Sequence, residues 1–368
     1  MRILVCPPDF FGVDYVINPW MEGHLGRVDR ALAHTQWSEL TEDFARLASV
    51  EEITPQVGSP DMCFTANAGL TSFDRVIPTR FQMPERAKEE EAFTDWFERA
   101  GFDVVPLPGE DAFEGEGDAL FQPGEPLLWA GYGVRSALET HIVLGQSFGA
   151  EVVSLRLIDP RFYHLDTCFV PLPDGRLLYY PAAFDERSQR IIERRIPANK
   201  RIAVDEKDAI GFACNALRIE DQLFVNQASR PLRKSLAEWG FETHVRPVGE
   251  FLKAGGGVKC LSLILDQTPF SPITPAPPSS IRASQVELKG HLLDHGCLNR
   301  ALDIVTEGGG SFRIKSLALA ERKDHESRAV LHVVAPSQER LEAVLLELMT
   351  AGARPLEVDR ACDASSPE

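Results

Sequence analysis

The stretch FLKAGGGVKC (251–260) puts Cys260 just behind three consecutive glycines. Glycines let a backbone approach a ligand closely and free its N–H groups, and the neighbouring Lys253 and Lys259 could favour the thiolate. The same residues also fit a tight loop ahead of a buried strand cysteine. FYHLDTC (162–168) sets His164 and Asp166 two apart. In a strand both would point to one face, where an imidazole and a carboxylate suit acid–base work; the plain alternative is a solvated strand face. FEGEGDAL (113–120) holds Glu114, Glu116 and Asp118 between glycines, with Glu114 and Asp118 the expected same-face pair. An acidic surface turn is the alternative, and a calcium loop lacks the EF-hand ligand spacing. Asp61 and Asn67 flank a short apolar core in SPDMCFTANAGL (59–70), and INPW (17–20) offers Asn18. Either asparagine is also an ordinary turn former. Arg86 opens a helix and Arg135 follows GYG, as surface charges or as carboxylate forks. A thiol, an imidazole, several carboxylates and two arginines together form the set that hydrolysis of an amino-acid guanidinium needs. Carboxylates hold the cation, arginines hold the α-carboxylate, and a thiolate attacks the guanidine carbon.

The elements that must position these groups alternate short β-like runs with single amphipathic helices. RILVC (2–6), FDVVPLP (102–108), PLLWAGYG (126–133), ALRIEDQLFVN (216–226) and KCLSLIL (259–265) read as strands. WSELTEDFARLASV (37–50), ERAKEEEAFTDWFERAG (85–101), DERSQRIIERRI (185–196), PLRKSLAEWG (231–240) and 136–148 read as helices. Roughly five strand-strand-helix-strand units fit, which is a repeat architecture. The rival, a doubly wound parallel sheet, lacks a GxGxxG after the first strand. The Pro-rich run 269–284 reads as a linker closing a first domain at 1–268. A second unit, 285–358, has the order β-α-β-β-α with RPLEV (354–358) as a last strand, a ferredoxin-like α+β pattern, and 359–368 reads as a frayed tail.

Composition narrows the functions. The chain has 368 residues, 44% hydrophobic, with 38 basic and 55 acidic side chains and a net charge of −17. Such a balance argues against a general affinity for nucleic acid or anionic lipid. No apolar run reaches the roughly 18 residues of a membrane span, and the opening reads as a strand rather than a signal peptide, so a cytoplasmic protein is expected. Seven scattered cysteines without a CxxC pair fit neither a disulfide framework nor a structural zinc site.

Several runs together resemble the guanidine-group-modifying superfamily, which includes arginine deiminase, dimethylarginine dimethylaminohydrolase and the amidinotransferases. They are VDYVINPWM (13–21), FTANAGL (64–70), FEGEGDAL (113–120), LWAGYGVRS (128–136), SLRLIDPRFYHLDTCF (154–169), LLYYPAAFD (177–185), FACN (212–215) and EFLKAGGGVKCL (250–261). The pattern is most similar to the arginine dihydrolase part of the cyanobacterial arginine-guanidine-removing enzymes. The resemblance implies a five-bladed α/β propeller. It implies Cys260 as nucleophile, His164 as acid–base partner supported by Glu114, and Asp166 on the guanidinium. It also implies Asp61 and Asn18 at the α-amino end, Arg86 and Arg135 on the α-carboxylate, and Asp118 behind them. No metal or organic cofactor is implied.

In that superfamily, deiminases and dimethylaminohydrolases carry an aspartate where this chain has Asn67. A carboxylate only accepts hydrogen bonds, whereas an amide also donates and can hold the neutral ureido group of citrulline. The expected outcome is a second attack, giving ornithine, two ammonia and carbon dioxide from L-arginine. The rivals are an enzyme stopping at citrulline and a non-catalytic arginine-binding protein. VELKGHLLDHGCLNRALDIVTEGGGSF (286–312) resembles the opening of the lysine-oxoglutarate reductase/saccharopine dehydrogenase domain. With no Gly-rich fingerprint here, neither NAD nor cyclodeamination is expected of this chain. The unit is instead expected to mediate docking or homo-oligomerisation.

Overall fold

The computed structural model describes residues 1–267, 282–290, 292, 297–318, 326–335 and 338–356. The expected tail at 359–368, and the expected linker up to residue 281, lie outside them. The chain divides into two compact units, Met1–Ile273 and Thr274–Glu368.

The first unit repeats one construction five times. Its sheets are β15-β1-β2, β3-β4-β5, β6-β7-β8, β9-β10-β11 and β12-β13-β14. Their strands are β1 (Arg2–Val5), β2 (Ser49–Glu52), β3 (Gly69–Ser72), β4 (Arg75–Pro78), β5 (Asp103–Val104), β6 (Ala119–Phe121), β7 (Leu127–Tyr132) and β8 (Glu151–Arg156). The others are β9 (Phe169–Leu172), β10 (Arg176–Tyr179), β11 (Arg201–Ala203), β12 (Leu217–Ile219), β13 (Gln222–Val225), β14 (Glu242–Val245) and β15 (Leu263–Ile264). In each sheet the middle strand runs antiparallel to the first and parallel to the third. A helix makes each parallel crossover, as the geometry of parallel pairing demands. These helices are α1 (Arg30–Ala45), α2 (Glu89–Arg99), α3 (Thr140–Phe148), α4 (Glu186–Arg195) and, after the short α5 (Glu206–Ile210), α6 (Arg230–Glu238). The sheet around β1 takes its outer strand from the other end of the unit, with Ile3 opposite Ile264.

Local chemistry sets the boundaries. Asp29 caps α1 by accepting from the Leu32 N–H, so the helix begins well before the expected Trp37. Asp185 and Ser229 cap α4 and α6 in the same way. β5 stops at Val104, far short of the expected 108, because Pro106 and Pro108 cannot donate to a ladder. The run 216–226 is a hairpin rather than one strand, turning at Glu220 (φ 55°). Among the described residues no helix is long and apolar enough to cross a membrane, and the six described cysteines are free, five of them buried.

The second unit adds a four-stranded sheet, β17-β18-β16-β19, with every neighbouring pair antiparallel. Its elements are β16 (Arg282–Gly290), α7′s successor in the chain α8 (Cys297–Glu307), β17 (Ser311–Ala318), β18 (Ser327–Ala335), α9 (Gln338–Thr350) and β19 (Arg354–Leu356), where α7 is the short Gly249–Leu252 helix of the first unit. β16 begins inside the stretch expected to be linker, because the last proline of that run is Pro278 and Arg282 already pairs with Ala335. Val286, Leu288, Ala301, Val305, Leu331 and Leu348 form part of this unit's own core.

Candidate active site

Five groups of the first unit, one per sheet, sit at the same place in the repeat, the turn that leads into the first strand of a sheet. Asn67 lies in the turn Thr65–Ala68 before β3, and Glu116 lies in Gly115–Gly117 before β6, flanked by Glu114 and Asp118. Asp166 lies in Leu165–Thr167 before β9, with His164 as the residue entering it. Asn215 and Cys260 occupy the corresponding approaches to β12 and β15. His164 and Asp166 are therefore not on a strand face, and Cys260 does not begin a strand. The turns at 65–68, 115–117 and 165–167 are short 3-10 turns, in which apolar side chains such as Leu165 pack inward beside the polar ones.

The turns bring the groups together. The Cys260 Sγ lies 3.4 Å from Asp166 Oδ2 and accepts from Asn215 Nδ2 at 3.1 Å. Asn215 Oδ1 in turn takes the N–H groups of Lys259 (2.8 Å) and Cys260 (3.1 Å). His164 Nε2 meets Glu114 Oε2 at 2.6 Å, and Arg135 Nη1 reaches the same oxygen at 3.4 Å. Arg135 lies over the Tyr163 ring at 4.7 Å and donates to the Ile17 carbonyl at 2.9 Å, while its Nε–H is buried without a partner. Arg86 donates to Asn67 Oδ1 at 2.8 Å, to the Asp61 carbonyl at 3.2 Å and twice over to Glu89. Asp61 Oδ2 accepts from Tyr15 at 2.8 Å; Asp61 Oδ1 and Asp166 Oδ1 are buried and unpartnered.

Two expected residues act from further back. Asp118 accepts from Ser136 (2.7 Å) and from the Leu165 N–H (3.1 Å), and Ser136 accepts from the Glu114 N–H (3.0 Å). Asp118 therefore ties the turn carrying His164 and Asp166 to the one carrying Glu114. Asn18 caps the turn Pro19–Met21 through Oδ1 and donates to the Ala254 carbonyl at 3.0 Å. The acidic turn is no surface feature: residues 113–119, with Glu114, Glu116 and Asp118, are buried.

The electrostatics correct one expectation. Lys253 donates to Glu250 and Lys259 to Glu116, at 2.6 and 2.5 Å, so neither is free to favour the thiolate. Burial pushes the Cys260 thiol well above its usual range, and the Asp166 carboxylate adds to the push. Asp166 is itself raised by burial. Burial would raise Glu114 too, but Arg135 and the His164 hydrogen bond outweigh it and hold the carboxyl down at about 2. Asp118 is pushed up to about 6 and Glu89 to about 7, both by burial that His164 and Arg86 respectively offset in part.

Glycines make room for this packing. A Cβ at Gly117 would stand 2.3 Å from Asn67 Nδ2 and 3.2 Å from His164 Cγ, and one at Gly257 would stand 2.7 Å from Asn215 Oδ1. A cavity of about 490 Å³ is lined by Asp166, Glu116 and Lys259 with Phe169, Cys214 and Gln267. Cys260 and His164 are not in its walls, and both are buried.

Sequence reasoning missed Asn215, Glu89, Tyr15 and Tyr163. A signal for Asn215 exists: FACNAL repeats the pattern of FTANAGL, placing Asn215 as Asn67 is placed.

Residues 283–367 match the family model described as the LOR/SDH bifunctional enzyme conserved region. The bifunctional arginine dihydrolase/ornithine cyclodeaminase ArgZ of Synechocystis sp. is 49% identical over 355 residues, covering 96% of this chain and 50% of ArgZ. The chain thus spans about half the length of that relative. The dimethylarginine dimethylaminohydrolase of Mycobacterium tuberculosis is 39% identical over 263 residues, 71% of this chain and 85% of that protein. Among solved structures, the substrate-bound N-terminal domain of ArgZ, a cysteine-to-serine mutant, matches with a TM-score of 0.71 and 52% identity, over 72% of this chain and 98% of that one. Fold and site define the class, the pentein fold of the guanidine-group-modifying superfamily. Within it, the chain belongs to the family that holds dimethylarginine dimethylaminohydrolase and the arginine dihydrolase domain of ArgZ.

Proposed function

We propose that this chain is an arginine dihydrolase, converting L-arginine and two waters into L-ornithine, two ammonia and carbon dioxide through a covalent Cys260 intermediate. The observation that carries the reading is the contact of Cys260 Sγ with Asp166 Oδ2, a carboxylate near enough to His164 of the His164–Glu114 pair to feel its charge. Asp166 grips the guanidinium, whose positive charge offsets the burial that keeps the thiol protonated. The thiol passes its proton to the His164 imidazole as the sulfur adds to the guanidine carbon. His164, held by Glu114, gives its proton to the leaving ammonia. The same imidazole takes a proton from water as it attacks the amidino-thioether; the C–S bond breaks and citrulline results. In the second round the sulfur adds to the ureido carbon, ammonia leaves again, and water cleaves the thiocarbamate. The carbamate so formed loses carbon dioxide to leave ornithine. No step draws on a metal or organic cofactor.

Asn67 offers the donor that the ureido oxygen needs. Arg135, with its unpartnered Nε–H, suits the α-carboxylate, and Asp61, with a free buried oxygen, suits the α-amino group. Arg86 and Asn18 border the same end of the site, and Asp118 holds its turns together. The five three-stranded sheets form the blades of a propeller over 1–268, and the second unit, 285–358, is a ferredoxin-like module for homo-oligomerisation in a cytoplasmic enzyme. In support, its sheet order is that of the split β-α-β pattern.

The test is product analysis after incubation with L-arginine. Ornithine with ammonia from the parent and none from Cys260→Ser is the expected result. Citrulline alone, or ammonia release that survives Cys260→Ser, overturns it.

A further inference from the structure

Asn67 lies between Arg86 and the space beside the His164 ring with an amide whose two ends are chemically different, so which end points to that space decides what it can hold. A guanidinium only donates, and Arg86 Nη1 lies 2.8 Å from Asn67 Oδ1. The amide oxygen is thereby turned towards Arg86 and the NH₂ towards the other side. There Nδ2 lies 3.4 Å from the Glu114 carbonyl, and it borders the same point in space, the missing Cβ of Gly117, as the His164 ring.

Arg86 has few freedoms of its own. Glu89 takes its Nε at 3.1 and 3.3 Å and its Nη2 at 2.7 Å, the fork-to-fork geometry that fixes a guanidinium in its plane. The Phe81 ring lies 4.1 Å from its central carbon. Both partners of the ion pair are buried, Glu89 completely. Glu89 is the first residue of α2, where the helix dipole favours a carboxylate. The pair also answers a question of charge. A buried arginine needs a counter-ion, and an aspartate at position 67 would serve. Here Glu89 serves instead, which leaves position 67 able to carry a neutral side chain that donates.

We infer that Glu89, acting through Arg86, is the positioning residue that locks the Asn67 amide with its NH₂ towards the reaction centre, and so keeps the ureido intermediate bound for its second hydrolysis. This rests on the arginine dihydrolase reading above and adds to it the residue that sets where the reaction stops.

The experiment measures ornithine and citrulline formed from L-arginine, and ornithine formed from added citrulline, by the parent, Glu89→Gln and Glu89→Asp. Loss of one fixed hydrogen bond in the second step lowers the ornithine-to-citrulline ratio of Glu89→Gln by about tenfold or more, with a much smaller change in arginine consumption. Glu89→Asp, which keeps the charge, recovers part of the ratio. A Glu89→Gln variant that slows both steps in proportion, or leaves the ratio at the parent value, overturns the lock. If Glu89→Gln does not fold, the double variant Asn67→Asp/Glu89→Gln returns a carboxylate to Arg86; it is expected to fold and to stop at citrulline. A double variant that still fails to fold, or that yields ornithine, also overturns the inference. A parent protein that yields no ornithine from arginine sinks the functional reading first, and this inference with it, before any variant is made.

Discussion

Asn215 holds Cys260 from two sides at once: its Nδ2 donates to the sulfur at 3.1 Å while its Oδ1 accepts the cysteine's own N–H at 3.1 Å. A single amide thus fixes both the backbone turn and the direction of the thiol. Asn215→Ala removes these bonds together with the one to Lys259 N–H. Each is worth about 1 kcal/mol, so kcat on arginine is expected to fall by about tenfold to a hundredfold. Steady-state kinetics check it, and an unchanged kcat would remove Asn215 from the nucleophile's support.

Asp166 plays two opposed parts at the sulfur. In the proposed reaction it supplies the charge that a guanidinium needs, while beside the free thiol it makes the thiolate harder to form. Asp166→Asn is therefore expected to be alkylated faster by neutral iodoacetamide at pH 8 than the parent, while arginine turnover drops by about a hundredfold or more. Slower alkylation in the variant would mean that burial alone sets the thiol's protonation.

Glu114 gives the stability a defined pH dependence. Its carboxyl has an ordinary value of 4.5 and is held at about 2 in the fold. A group depressed in the native state contributes stability above its unfolded value, and that contribution is lost as the pH falls from about 4.5 towards about 2. Glu114→Gln leaves Arg135 buried without its counter-charge, a change of the kind that costs about 3–5 kcal/mol at neutral pH. The gap in Tm between parent and variant is expected to narrow steadily below pH 4.5, and thermal melts across that range show whether it does.

Gly117 is a steric requirement rather than a conformational one, since its φ is not among the positive values. Gly117→Ala places a methyl group against Asn67 Nδ2 and the His164 ring. The expected result is a loss of ornithine formation with a Tm change typical of modest overpacking, about 1–3 kcal/mol of stability. Full activity in this variant would show that the two side chains have room to move apart.

A cysteine behind three glycines singles out Cys260, yet those residues alone leave a buried strand cysteine equally open; its grouping with His164, Glu114 and Asp166 comes from the family likeness, and the structure sets Cys260 against Asp166 and His164 against Glu114. The sequence misled on backbone form. Two-residue spacing suits a strand face, but it occurs equally across a tight turn, and only the packing of residues such as Leu165 decides between them. Glu89 was illegible for a different reason. It opens an EEE run that reads as a solvated helix start, and its burial goes with Arg86, supplied by the turn before the helix and packed on Phe81. Asn215 resembled any turn asparagine until its alignment with Asn67 in the repeat gave it a place.

β15 pairs with β1, so the strand that follows Cys260 completes a sheet begun at Arg2. During synthesis β1 waits for its outer neighbour until almost the whole unit has been made. Of the five turns that converge on the centre, the one bearing the sulfur is also translated last. The first sheet therefore closes only once the segment carrying Cys260 is in place, so completing the fold and setting the thiol beside Asp166 and Asn215 are one event.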